Sequence, residues 1–176
     1  MSLLKTNAIQ TISGKPILNS TGSVLQVVQS AKTNVFSTSS TSFVDVTGLS
    51  ASITPSSATS KVLIMVNGVA GMSGALSGYL RLLRETTVIF AGDTTSGYTS
   101  VSSASFYGGS ADGNNNEMFS ICYLDSPTIT TSITYKVQAV APQGGNLVIN
   151  SLGSDISGQN YSTRASSSIT LFEISS

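Results

Sequence analysis

In the stretch ADGNNNE, residues 111–117, oxygen donors recur at a spacing that suits a metal ion, and the chain offers no other such spacing. Asp112, Asn114 and Asn116 stand at alternate positions, as the first three ligands of a calcium loop do. The match then fails: Glu117 occupies the position that needs glycine, and Tyr123 stands where a bidentate glutamate belongs. Asn and Gly also make ordinary turns. We read the stretch as a polar loop tip, with no metal and no cofactor. The tip offers a second kind of chemistry. SFYGGSADGNNNE joins Phe106 and Tyr107 to Asp112, Asn114, Asn115 and Asn116, and SGYTS adds Tyr98. Ring faces beside adaptable amides are what carbohydrate or protein recognition uses. The plainer reading is a solvated loop whose Phe106 and Tyr107 close a strand, and the residues favour it. Recognition by this set is the alternative.

Catalytic groups are scarce. There is no histidine, which removes Ser-His-Asp and Cys-His arrangements and the usual zinc and non-haem iron ligand sets. A glycosidase needs only two carboxylates. Yet none of the acidic residues sits beside an aromatic-rich stretch, and there is no Trp to serve as a sugar platform. No glycine loop leading into Lys-Ser/Thr is present to cradle phosphate. The single cysteine, Cys122, rules out an internal disulfide framework. Its apolar setting, MFSICYLD, predicts a buried, inert thiol. We expect a protein that is not an enzyme.

The elements that must carry these loops are strands. No apolar pattern of helical period escapes Gly or Ser/Thr clusters. Short apolar or alternating runs recur instead, at 24–29, 43–49, 61–69, 79–85, 87–92, 100–107, 117–124, 133–140, 146–150 and 167–175. Turn residues separate them, which predicts an all-β fold: an antiparallel β-sandwich, jelly-roll-like. In ITYKVQAV, Tyr135, Val137 and Ala139 share one face. In SSITLFEIS both faces carry apolar side chains, so that strand is either central or covered by a neighbouring subunit. The uncharged run VLIMVNGVAGMSGALSGYL, residues 62–80, is long enough to span a membrane as a helix. Its glycines and β-rich opening argue for two buried strands around a loop, and against membrane insertion.

The chain of 176 residues carries 34 Ser and 20 Thr against 16 charged residues, and its net charge is zero. It is long enough for one domain, or one domain plus an arm. With the basic residues scattered, no footprint for nucleic acid or anionic membrane is visible. The first residues, MSLLKTNAIQ, lack the apolar core of a secretory signal. Residues 5–30, KTNAIQTISGKPILNSTGSVLQVVQS, hold Gly14, Pro16 and Gly22, so no long helix runs through them. Ile9, Ile12, Ile17, Leu18, Val24, Leu25 and Val27 are dispersed along an extended stretch and cannot bury one another. They need strand addition to a partner or winding with sibling arms. We therefore place an assembly arm at 1–30 and the sandwich at 31–176.

KTNAIQTISGKPILNSTGSVLQVVQ resembles the N-terminal segment of tail-fibre and other small virion proteins of tailed bacteriophages, especially those of cyanobacteria. TSFVDVTGLSASITPSSATSKVLIMV, LRLLRETTVIFAGD, YLDSPTITTSITYKVQAV and SSITLFEIS extend the likeness over most of the chain. The resemblance implies a homotrimeric β-sandwich made in the host cytoplasm and carried on the virion. Its arm would attach to other virion proteins of tail or capsid, and its loops would contact a host-surface glycan or protein. A capsid decoration (cement) protein is the alternative within that class. Outside it stands a soluble, lectin-like β-sandwich.

Overall fold

The computed structural model describes residues 21–103, 105–108, 115–154, 160 and 162–176. The described residues form strands and no helix: β1 (Val24–Lys32), β2 (Phe36–Thr38), β3 (Val44–Ile53), β4 (Lys61–Met72), β5 (Ser77–Arg84), β6 (Thr87–Phe90), β7 (Phe106–Tyr107), β8 (Asn116–Asp125), β9 (Ile133–Val140), β10 (Leu147–Ile149) and β11 (Ser167–Ile174). Sheet 1 runs β1–β11–β4–β8, with β10 and β2 continuing beside the end of β4. Sheet 2 runs β3–β9–β5–β6, with β7 on β5. All these ladders are antiparallel. From β3 onward the chain passes repeatedly from one sheet to the other, which is the winding of a jelly roll.

The core lies between the sheets. Across sheet 1 the rung Val28–Leu171–Ile64–Tyr123 turns inward, with Leu171 and Ile64 fully buried. Leu80 and Leu82 of β5 and Tyr135, Val137 and Ala139 of β9 meet it from sheet 2. Each such aliphatic side chain removed from water stabilises the fold by about 1.5–3 kcal/mol. Gly68 is required where it stands: a side chain there would run into the Phe119 ring and Ser167 Oγ. Phe119 in turn meets Phe106 edge to face, with ring centroids 5.9 Å apart.

The run at 62–80 forms β4 and β5, joined by a short turn. Among the described residues, no helix is long and apolar enough to cross a membrane. Three expectations are corrected. The arm boundary at residue 30 falls inside β1, because residues 24–32 pair with β11, with one register shift between Val24 and Gln26, and turn Val28 into the core. Of the run at 100–107 only Phe106–Tyr107 is strand, and β2 was not foreseen. Cys122 is exposed, because β8 turns Phe119 and Ile121 inward and so turns Cys122 out. The final strand lies centrally between β1 and β4, with Ile169 and Leu171 inward and Phe172 and Ile174 on the other face.

Candidate functional site

The outward rungs of sheet 1 follow from its register. One row runs across all four strands as Val27–Phe172–Leu63–Leu124. Its neighbours in sequence form the buried rung Val28–Leu171–Ile64, so this row faces away from the core. Val27 and Leu124 at its ends are about half exposed, and Phe172 and Leu63 between them are half-buried. The next outward row is Gln29–Thr170–Met65–Cys122, and Lys61 is the one charged residue in the outward rows of the sheet. An antiparallel sheet with one solvated face normally carries polar side chains there.

Sheet 2 does carry them. Its outward row Asp45–Gln138–Arg81 is a hydrogen-bonded chain. Arg81 donates through Nε and Nη2 to Gln138 Oε1 at 2.9 and 2.7 Å, and Gln138 Nε2 donates to Asp45 Oδ1 at 2.7 Å. Lys136 Nζ pairs with Asp45 Oδ2 at 2.8 Å. The Arg81 guanidinium lies 3.8 Å over the Phe43 ring. Donation from Lys136 and Gln138 holds the Asp45 carboxyl below its ordinary range.

The recognition residues divide. Tyr107, Asn115 and Asn116 meet at the end of the sandwich where β4 finishes and β5 and β8 begin. There Tyr107 N donates to Glu117 Oε1 (3.3 Å), Asn115 Nδ2 to Gly108 O (3.3 Å) and Asn116 Nδ2 to Thr163 Oγ1 (3.1 Å). Tyr107 is half exposed. Phe106 is buried against Phe119 and cannot offer its ring to a ligand, which corrects its place in the set. Tyr98 is highly exposed but sits on the connection after β6, which Ser102 and Ser103 tie back to Leu80 and Leu82 of β5. Asp112 and Asn114 lie outside the described residues, as do Ile9, Ile12, Pro16, Ile17 and Leu18 of the arm. Val24, Leu25 and Val27 belong to β1, and Val24 and Val27 are exposed on it. Among the described residues no three His, Cys, Asp or Glu side chains lie together as a metal site would need.

Three buried charged groups escaped the sequence. Asp125 accepts from Arg84 Nη1 at 2.9 and 3.1 Å and from the Tyr135 hydroxyl at 2.8 Å, joining β8 of one sheet to β5 and β9 of the other. Burial and then the Asp125 bond push the Tyr135 hydroxyl far above its ordinary pKa. Glu173 accepts from Ser56 N (2.7 Å), Ser56 Oγ (2.6 Å) and Gln26 Nε2 (2.6 Å). Burial alone would raise its pKa, but donors on Ser56, Gln26 and Ser60 outweigh that and hold it low. Lys32 is buried beside Gly48, donates to Asn34 Oδ1 at 2.8 Å, and has its pKa lowered by burial. No short motif marks such groups, because each depends on strands far apart in sequence.

No protein-family model matches the chain, and no curated protein matches it. Among solved structures it is similar to a chain in a structure of the infectious bursal disease virus Gx strain, with a TM-score of 0.41 and 16% identity. That likeness covers 96% of this chain and 42% of the other. It is also similar to the VP2 subviral particle of infectious bursal disease virus, with a TM-score of 0.37 and 15% identity over 86% of this chain and 37% of that one. This chain therefore spans about two fifths of the length of either. Likenesses at this level speak to neither function nor assembly.

Proposed function

We propose that this chain is a non-enzymatic structural protein of a bacteriophage virion: a homotrimeric surface appendage of tail-fibre type. Its N-terminal segment attaches it to other virion proteins, and the loop end around Tyr107, Asn115 and Asn116 faces the host surface. The observation that carries this reading is the apolar outer row Val27–Phe172–Leu63–Leu124 on a sandwich whose other outer face is a polar network. An exposed apolar row that belongs to no core suits an assembly contact. The resemblance of the sequence to small phage virion proteins supplies the particle. Decoration of the capsid is the second reading. It is favoured by β1, which takes residues 24–32 into the sandwich and leaves the described chain as one compact body suited to a shell. Gold-labelled antibody on intact virions separates these readings in electron micrographs. Label at the tail is the expected result, label over the head would move the protein to the decoration class, and unlabelled particles would overturn the virion reading.

A further inference from the structure

The inference here rests on the assembly reading and gives the N-terminal segment a partner. Sheet 1 ends in β8, which pairs with β4 along its whole length and, among the described residues, with nothing on its other side. Its outer row of backbone N–H and C=O groups is therefore open to another strand. The other sheet borders are closed, shifted or short. β1 leans on β3 and carries a register shift between Val24 and Gln26, β3 is shifted between Asp45 and Ser50, and β6 has only four residues. β8 has ten, runs beside β4 without a shift, and contains neither Lys nor Pro, the residues that commonly guard a bare edge. The side chains along this edge limit what can lie there. Met118 and Leu124 are exposed on its outer side. On its inner side stands Phe90, exposed and stacked on Tyr123 with centroids 5.1 Å apart. Glu117 is exposed near the start of β8. The edge thus calls for an extended strand with apolar side chains in both phases and a cation at one end.

The chain itself holds such a stretch ahead of the described residues. Between Lys5 and Lys15 the sequence TNAIQTISG carries no charge, and Ile9 and Ile12 lie in opposite phases of an extended chain. We propose that residues 6–14 of one copy add to β8 of a neighbouring copy as an antiparallel strand, with Lys15 beside Glu117. That register sets Ile9 opposite Tyr123 and its Phe90 partner, Ile12 opposite Ser120 between Met118 and Cys122, and Gln10 opposite Cys122. Pro16 falls opposite Asn116, where the ladder stops. Every ladder between the named strands is antiparallel, which favours that direction. The direction in turn fixes the source. Within one molecule Lys15 would stand at the Glu117 end of sheet 1, whereas Gly22 is bonded to Ser175 at the Asp125 end. Those ends lie about 27 Å apart along β8. The stretch from Pro16 to Gly22 spans at most about 25 Å, even without the crossing from β1 to β8. A neighbour's β8 sets no such limit, and segments passed from copy to copy close into a ring.

The test uses the full chain with Gln10→Cys, whose thiol would face Cys122 of the next copy at the spacing of a cross-strand pair. Oxidation with diamide should give bands at multiples of the 18.1 kDa chain on a non-reducing gel. Thr11→Cys points to the other side of the added strand and should link at least tenfold less. Ile9→Asp/Ile12→Asp placed in the Gln10→Cys chain should abolish linking and keep a cooperative melt. Amide exchange along residues 116–125 should be at least tenfold faster in Ile9→Asp/Ile12→Asp than in the parent. The proposal is overturned by equal linking from positions 10 and 11, by a disulfide confined to the single-chain mass, or by exchange along β8 that the double variant leaves unchanged. Chains that link but are missing from labelled virions would sink the virion reading and leave this pairing standing. Labelled virions whose chains do not link would do the reverse.

Discussion

The two sheets share one core and differ on their outer sides. On sheet 2 the row Asp45–Gln138–Arg81 passes hydrogen bonds from residue to residue, and Arg81 covers Phe43, so each polar group has a partner within its own face. On sheet 1 the row Val27–Phe172–Leu63–Leu124 holds apolar side chains alone, and polar groups enter only in the rows beside it, as where Gln29 Nε2 donates to Thr170 Oγ1 at 2.8 Å. Strands of both sheets alternate equally well, so the backbone does not set this difference. It lies in which residues fill the outward phase. A row of paired polar groups suits solvent, and an exposed apolar row suits a neighbour.

The contrast requires two sheets held rigidly back to back, and the largest expected effect comes from breaking that hold. Asp125→Ala strands Arg84 and the Tyr135 hydroxyl between the sheets. It should cost about 3 kcal/mol in urea unfolding, at the lower end for a broken buried pair because Arg84 keeps some solvent. A loss under about 1 kcal/mol would show that apolar packing alone joins the sheets.

A smaller effect sharpens the contrast through two carboxylates. Glu173 is buried beneath sheet 1 and Asp45 is exposed on sheet 2, and both are held below their ordinary range. For each, the folded value lies below the unfolded one, so the stabilisation is complete above the unfolded value and fades as pH falls through the folded value. Glu173→Gln should therefore cost roughly 1–3 kcal/mol at neutral pH. The gap to the parent should narrow below pH of about 4.3, the ordinary glutamate value. Asp45→Asn should move the acid limb of the melting curve less, since solvent screens its partners. Equal acid limbs would mean that the donors around Glu173 hold its charge no better than those around Asp45. The smallest effect belongs to the polar row itself. Arg81→Ala should lower stability by only about 0.5–1 kcal/mol and leave the oligomer mass unchanged. A change in mass would place sheet 2 in the interface as well.

Most of the strand positions were legible because strands here are short apolar runs cut by Ser, Thr and Gly. The jelly-roll winding was legible only as a class, since register is a property of pairs. β8 shows where reading stopped. Met118, Cys122 and Leu124 alternate with Phe119, Ile121 and Tyr123, so both phases look apolar and nothing local says which turns inward. Cys122 was placed inside for that reason. In the same way Val24, Leu25 and Val27 suited a free arm as well as an edge strand, and only β11 across the ladder decides. Phe106 closes a strand, as the favoured reading had it, but it also stood among the recognition residues because its partner, Phe119, lies beyond the Asn-rich tip. Tyr107, Asn115 and Asn116 come together at one end of the sandwich because they stand close together in one segment, which composition can show.

The ladder between β1 and β11 has a mechanical side. β1 enters the sheet at Val24, where Gly22 N bonds to Ser175 O at 2.8 Å, and the Tyr107 loops lie at the opposite end of β4. A pull applied ahead of β1 and resisted at those loops runs parallel to the strands. Ladder hydrogen bonds lie across that direction, so the register pairs from Val24↔Ile174 to Lys32↔Ser167 share the load together in shear. A pull across the sheet would open the same pairs one after another, as a zipper opens. The chain therefore enters its fold along the axis on which the sandwich is hardest to tear.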